Sequence, residues 1–232
     1  MRVALYYTHP AGDPLAEAAA RWLGRDAFIG EPVEQPRVDG IDPARLAALT
    51  AEPRRYGWHA TLKAPFRLAP AQGLPELGQA VTDFAARTGP LPLTLDLQRL
   101  GSFFALTPVG DAAAINDLAA DAVRTFEPFR APLNEAEIAR RRQSGLSPEQ
   151  DRYLLDWGYP HVLDLFRFHM TLTSSVPDRE ADAVERALRH HFRDLLGRPG
   201  QLDALAIFVE PDGSRDFLVH SRTRFSAAYG AS

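Results

Sequence analysis

Two four-residue segments of the chain carry the same chemistry: His59-Ala60-Thr61-Leu62 and His169-Met170-Thr171-Leu172. In a β-strand, side chains two residues apart project to the same face. Each His therefore shares a face with its Thr, while Leu62 and Leu172 turn back toward a core. Two such strands around one cleft present two imidazoles and two hydroxyls to a single small anion. One imidazole takes a proton from an attacking oxygen, the other protonates a leaving oxygen, and the hydroxyls hold phosphoryl oxygens. A lone His-x-Thr on a strand is more often a hydrogen-bonded pair than a catalytic one. Two chance copies of the four-residue motif, however, are expected in roughly one sequence per thousand of this composition. No serine or cysteine elbow is visible, which leaves water as the nucleophile.

Charged residues flank both motifs. Arg54, Arg55, Lys63 and Arg167 are candidates for holding phosphate oxygens beside Thr61 and Thr171. Lys63 lies an even number of residues from His59 and Thr61, so regular alternation places it on their face; Arg167 stands in the same relation to His169. The run Arg140-Arg141-Arg142 is less favoured, since charge runs on helices mostly face solvent. Tyr6, Tyr56 and Tyr159 are candidates for lining the cleft, although aromatics more often fill cores. Among the other histidines, His9, His191 and His220 read as structural, His190 as a surface residue, and His161 as lying off the register that would meet His169. A metal site needs three or four ligands at supportive spacing. The motifs offer none and no His-Glu-x-x-His occurs, so neither a metal nor a cofactor is expected.

Composition bounds the partners. The chain has 232 residues, a net charge of −4 and a pI near 6.0. A general nucleic-acid binder usually carries a basic excess, so the expected partner is a small phosphorylated sugar or nucleotide rather than a polynucleotide. There is no cysteine, which removes disulfides, thiolate-ligated metal and a thiol nucleophile. No apolar run is long enough for a membrane span or a signal peptide. The cytoplasm is the default expectation, and nothing sets the oligomeric state.

The elements that must position the motifs follow from periodicity. Val3 to Tyr7 reads as a strand, and Asp13-Pro14 and Asp42-Pro43 each open a helix with an acidic cap and proline at the first turn. Tyr56 to Phe66 and Phe166 to Ser174 read as the two motif strands. Pro75 to Thr88, Asp111 to Phe126 and a stretch after Pro177 have helical spacing, and Leu91 to Pro108 alternates as a hairpin. Two further strands, Leu202 to Val209 and Asp216 to Val219, close the chain. The motif strand–helix–hairpin order recurs in both halves. This predicts an α+β fold of two pseudo-symmetric lobes, each an antiparallel sheet backed by helices, with a central cleft. The first motif lobe spans roughly 50–126. The second spans roughly 161–225 and takes in the N-terminal strand, with an Arg-rich helical insertion at 128–160.

On these motifs the chain resembles the 2H phosphoesterase superfamily, the group that includes the bacterial RNA ligase/cyclic phosphodiesterases. The segments Arg54-Arg55-Tyr56-Gly57-Trp58-His59 and Phe166-Arg167-Phe168-His169, with Ala4-Leu5-Tyr6-Tyr7, resemble its branch associated with phosphonate-metabolism operons. The resemblance implies a metal-independent cyclic phosphodiesterase acting on a small substrate such as a ribose cyclic phosphate. It implies His169 as the base on water and His59 as the acid. The competing readings are an RNA 2′,3′-cyclic phosphate end-processing enzyme and a binding module for a phosphorylated ligand that performs no turnover.

Overall fold

Local chemistry sets where the elements begin. The structure, a computed structural model, describes residues 1–227. Asp13 accepts from the amides of Leu15 and Ala16, with Pro14 at the first helical position, and so opens α1 (Pro14–Leu23). Asp42 does the same for α2 (Pro43–Leu49), which runs almost directly into α3 (Ala51–Tyr56). Further along come α4 (Leu74–Arg87), α5 (Ala113–Thr125), α6 (Glu135–Arg142), α7 (Pro148–Trp157) and α8 (Asp178–Phe192). The two helices of the Arg-rich segment, α6 and α7, each start with a reciprocal capping box, from Asn134 with Glu137 and from Ser147 with Gln150.

The strands β1 (Arg2–Tyr7), β2 (Ala60–Phe66), β3 (Leu91–Leu100), β4 (Phe103–Pro108), β5 (Met170–Thr171), β6 (Pro199–Leu202), β7 (Ala204–Glu210) and β8 (Leu218–Arg224) form one sheet. Its order is β6-β3-β4-β5-β2-β1-β7-β8, and every pairing is antiparallel. The fold class is α+β, as expected, but the arrangement differs from two sequential lobes. The hairpin β3–β4, which follows the first motif in sequence, pairs with the strand of the second motif. The first motif strand is flanked instead by β1, with β7 and β8 from the end of the chain. Each half of the sheet thus draws on both halves of the chain, so the expected lobes at 50–126 and 161–225 do not each form a separate sheet. The two motif strands do not face each other across a gap between lobes. They are adjacent at the middle of the sheet, where Ala60 pairs with Met170.

That register decides the site. Ala60 and Met170 both belong to the main core. The alternating positions, His59 and Thr61 on one strand and His169 and Thr171 on the other, are thereby turned to the opposite face. The core face collects Val3, Leu5 and Tyr7 of β1 and Leu93, Leu95 and Leu97 of β3 against Trp22, Phe84, Leu188 and Phe192 of the helices. Leu62 and Leu172 join this core.

The second motif strand is shorter than its sequence suggests, only Met170 and Thr171 being paired. Beyond them the Leu172 amide donates to the Phe104 carbonyl at 2.9 Å, and the Trp22 indole donates to the Leu172 carbonyl at 3.0 Å. Those two bonds hold the motif in place where the ladder stops. No helix of the described residues is long and apolar enough to cross a membrane.

Candidate active site

A cleft of about 670 Å³ opens on the face of the sheet that carries the four motif side chains. His59, Thr61, His169 and Thr171 all line it. The pairing of Ala60 with Met170 sets Thr61 opposite His169 and His59 opposite Thr171. The two histidines are thus diagonal neighbours on one face, roughly 7–8 Å apart. A single phosphoryl group spans such a gap.

Both imidazoles are held in the same way. His59 Nδ1 lies 2.9 Å from the Gly57 carbonyl, and His169 Nδ1 lies 2.8 Å from the Arg167 carbonyl, in each case two residues back along the chain. A carbonyl only accepts, so Nδ1 is the donor in both rings and Nε2 is left for chemistry. For His59 this depends on Gly57, whose φ of 75° and ψ of −179° belong to a region that L side chains rarely adopt. A Cβ there would come within 2.4 Å of the Ala27 Cβ.

The surroundings of the two rings differ. His59 stacks on Tyr6 with centroids 3.9 Å apart, and the rings of Tyr56 and Phe208 lie 5.9 and 6.2 Å away. Burial among these rings lowers its pKa from 6.5 to about 4; the Gly57 carbonyl opposes the shift and the nearby His169 adds to it. His59 is therefore neutral across the physiological range. Among the described residues His169 has one aromatic neighbour, Phe103, at 5.7 Å.

The other residues expected at the site divide. Tyr6, Tyr56, Tyr159 and Arg55 line the cleft. Arg55 donates to Glu210 at 2.8 Å and to the Arg215 carbonyl, while Arg2 clamps the same carboxylate at 2.5 and 2.8 Å. These hydrogen bonds hold Glu210 below the usual carboxylate range. Lys63, Arg54 and Arg167 are not on the cleft wall. Opposite Tyr6 stands Thr61, but opposite Leu5 stands Lys63, so β2 carries one extra residue there. This β-bulge resets the alternation and turns Lys63 to the core face with Leu5. There Lys63 is buried, donating to the Val123 carbonyl at 3.0 Å and pairing with Glu127 at 2.8 Å. Arg54 is spent on the carbonyls of Leu23 and Ala47 and on the Thr50 hydroxyl, which lock α3 to its neighbours. Arg167 is exposed and gives His169 only its backbone carbonyl.

The change Lys63→Met is accordingly expected to lower stability by about 1–3 kcal/mol through lost hydrogen bonds, measured by urea unfolding. Inorganic phosphate should protect the variant against unfolding as well as it protects the native protein. Weaker protection would return Lys63 to the phosphate site.

Sequence reasoning missed Arg2 and Phe103 on the wall and ranked the α6 arginines low. Arg2 shares a face of β1 with Tyr6, four residues on, which strand alternation could have shown. Phe103 carries no motif. Arg140 and Arg141 line the cleft, whereas Arg142 is exposed and pairs with Asp151 at 2.6 Å. Among the described residues, no three His, Asp or Glu side chains are grouped so as to hold a metal ion.

A family model described as a protein of unknown function (DUF1045) matches residues 61–218. The chain belongs to the DUF1045 family. Two curated relatives are similar along nearly all of this DUF1045 chain. The ribose 1,5-bisphosphate phosphokinase PhnN of Janthinobacterium sp. (strain Marseille) is 39% identical over 230 residues, which cover 97% of this chain and 51% of the relative. The protein of the same name from Laribacter hongkongensis is 33% identical over 218 residues, covering 94% of this chain and 50% of the relative. The chain spans about half the length of these relatives. The crystal structure of TT0787 of Thermus thermophilus superposes with a TM-score of 0.44 at 14% identity, covering 97% of this chain and 98% of that one.

Proposed function

We propose that the chain is a 2H-type phosphodiesterase that hydrolyses a small cyclic phosphate on a ribose, with no metal ion in the step. The observation that carries this reading is the mirrored pair of imidazoles, each fixed at Nδ1 by the carbonyl two residues back and each leaving Nε2 free beside a threonine hydroxyl. Water attacks phosphorus and gives its proton to neutral His59. The bond to one ribose oxygen breaks, and His169 protonates that oxygen from Nε2. The products are a phosphomonoester and a free hydroxyl. Thr61 and Thr171 donate to the non-bridging oxygens, whose charge grows as the fifth oxygen arrives. This order of base and acid is the reverse of what the family resemblance implies, and the burial of His59 is the reason.

Ribose as the carrier draws on the relatives, whose name specifies a ribose bisphosphate. Opening a ribose 1,2-cyclic phosphate by breaking the bond from phosphorus to O2 leaves the phosphate on the anomeric oxygen as a ribose 1-phosphate, so a ring-opening half fits beside an activity that uses such a compound, in keeping with a role in phosphonate metabolism. The phosphokinase activity of the relatives is not assigned to this chain. Lys63 is its only lysine, no Gly-x-x-x-x-Gly-Lys-Ser/Thr loop occurs in it, and Lys63 is committed to Glu127. The cleft volume of about 670 Å³ suits a ligand of nucleotide size. It favours a small molecule over a polynucleotide, which calls for an extended basic track.

The test is a panel of cyclic phosphates followed by ³¹P NMR with EDTA present. Conversion of a ribose cyclic phosphate to its monoester supports the reading. Binding without turnover, or turnover that EDTA abolishes, overturns it.

A further inference from the structure

A second cavity lies on the other side of the sheet from the cleft. It has a volume of about 460 Å³ and shares no residue with the cleft wall. The loop after β1 and the start of α1 form one side of it; β3 and the segment from Leu195 to Asp203 form the other. Its apolar lining comes from Pro10, Pro14, Leu15, Leu93, Leu95 and Leu195. A cavity of this order, with apolar walls and a few convergent polar groups, is the ordinary form of a small-molecule site.

Three charged side chains and one imidazole stand around that lining, and their partners show which are uncommitted. Asp13 accepts from the Leu15 and Ala16 amides at the start of α1, where the helix dipole offsets its charge. Asp203 pairs with Arg222 and Arg224. Arg198 is exposed, and no carboxylate of the described residues lies within ion-pairing distance of it. His9 Nδ1 lies 3.3 Å from the Trp58 Nε1. An indole only donates, so Nδ1 accepts and Nε2 carries the ring proton. That N–H has no acceptor among the described residues and is not sealed from solvent.

We infer that this cavity binds a small monocarboxylic acid with an apolar body, its carboxylate held by the His9 Nε2–H and the Arg198 guanidinium. One uncompensated positive charge matches one carboxylate, and a guanidinium fork can take both of its oxygens in parallel. The leucines and prolines match an aliphatic or aromatic body. A dianion fits less well, because Asp13 and Asp203 stand on the same wall and repel a second negative charge. A carboxylate that accepts from Nε2 also polarises the imidazole toward the indole of Trp58. Trp58, the residue before His59, therefore reports on occupation. The site stands independently of the phosphodiesterase reading.

Calorimetry with 3-phenylpropionate, run beside tryptophan fluorescence, tests the site. The native protein should bind the acid with a Kd of about 1 mM or tighter, and with a change in emission that Trp58→Phe abolishes. 3-Phenylpropionamide keeps the body without the charge and should bind about tenfold more weakly. Acetate keeps the charge without the body and should bind more weakly still than the acid by a similar factor or more. Arg198→Gln alters an exposed side chain with no ion pair, so the fold survives, and it should weaken 3-phenylpropionate about tenfold. Saturating inorganic phosphate should leave the native affinity unchanged. The inference is overturned by no binding to the native protein, by an amide or acetate that binds as tightly as the acid, or by equal binding to Arg198→Gln. An emission change absent from the native protein or persisting in Trp58→Phe overturns it too, as does displacement by inorganic phosphate, which would put the acid in the cleft.

Discussion

On the proposed reading, replacing His59 with Gln or His169 with Ala should lower kcat/KM for cyclic phosphate opening by about a hundredfold or more. In the proposed mechanism each ring supplies one proton transfer through Nε2, and the Nδ1 bonds to Gly57 and Arg167 orient it without taking part. Glutamine is the sounder replacement for His59, whose ring stacks on Tyr6 at 3.9 Å; alanine there would leave a cavity as well as removing the base. A further result follows from the two acting as a unit. Once one proton transfer is lost, the other has little left to assist, so the double variant should be scarcely slower than the slower single one. Rates that multiply, a hundredfold for each, would mean that the histidines act independently, for instance by binding two different groups. Single variants with near-native rates would remove the catalytic reading altogether. Thermal unfolding of each variant separates a lost function from a lost fold.

That the two motifs meet in one cleft was legible in the sequence because it rests on residue identity and a repeated motif spacing, which need no knowledge of the remainder. Most helix starts were legible too: an Asp before a Pro at 13 and 42 is a local signal with a local outcome. What failed was extrapolation along β2. Alternation predicts Lys63 beside Thr61, and it holds only while the strand stays in register. The extra residue at the bulge is set by how β2 lies against β1, a tertiary fact with no local marker. Arg54 and Arg55 look alike as flanking charge, but both belong to α3, where neighbouring residues point about 100° apart. One reaches the cleft and Glu210, the other the carbonyls of Leu23 and Ala47. The order of strands in the sheet escapes the sequence for a related reason. The pairing of β4 with β5 joins segments far apart in the chain, Ala105 with Thr171, and nothing in either segment names the other. The arginines of α6 look like a solvated charge run, and Arg142 is one. That no carboxylate of the described residues pairs with Arg140 or Arg141 becomes visible only once their surroundings are known.

The second large effect is on pH. Packing against Tyr6 and its neighbours lowers the His59 pKa from 6.5 to about 4, so the proposed base stays unprotonated through the mildly acidic range. The acid limb of kcat/KM, which reports the free enzyme, should be centred near pH 4. An unperturbed imidazole would place it near 6.5. At pH 5.5 the native enzyme should therefore keep most of the rate it loses to no other group, where an ordinary histidine base would retain roughly a tenth. An acid limb at pH 6 or above would show that His59 is not the base, and the roles would return to the order the family resemblance implies. The same shift has a consequence for folding. The native state disfavours the protonated ring, whereas the unfolded chain accepts the proton near 6.5. The contribution to stability is complete above that value and is lost as pH falls toward 4. Its upper bound is on the order of 3 kcal/mol, reduced because the ring edge at the cleft reaches water. Burial also lowers the pKa of His9, His161 and His191, so the whole protein's acid sensitivity does not isolate His59. The difference between native protein and His59→Gln does. Urea unfolding at pH 7 and at pH 4.5 should show the native protein losing more stability than the variant. Equal losses would mean that the His59 ring is better hydrated than its stacking on Tyr6 indicates, and the kinetic limb would then move up with it.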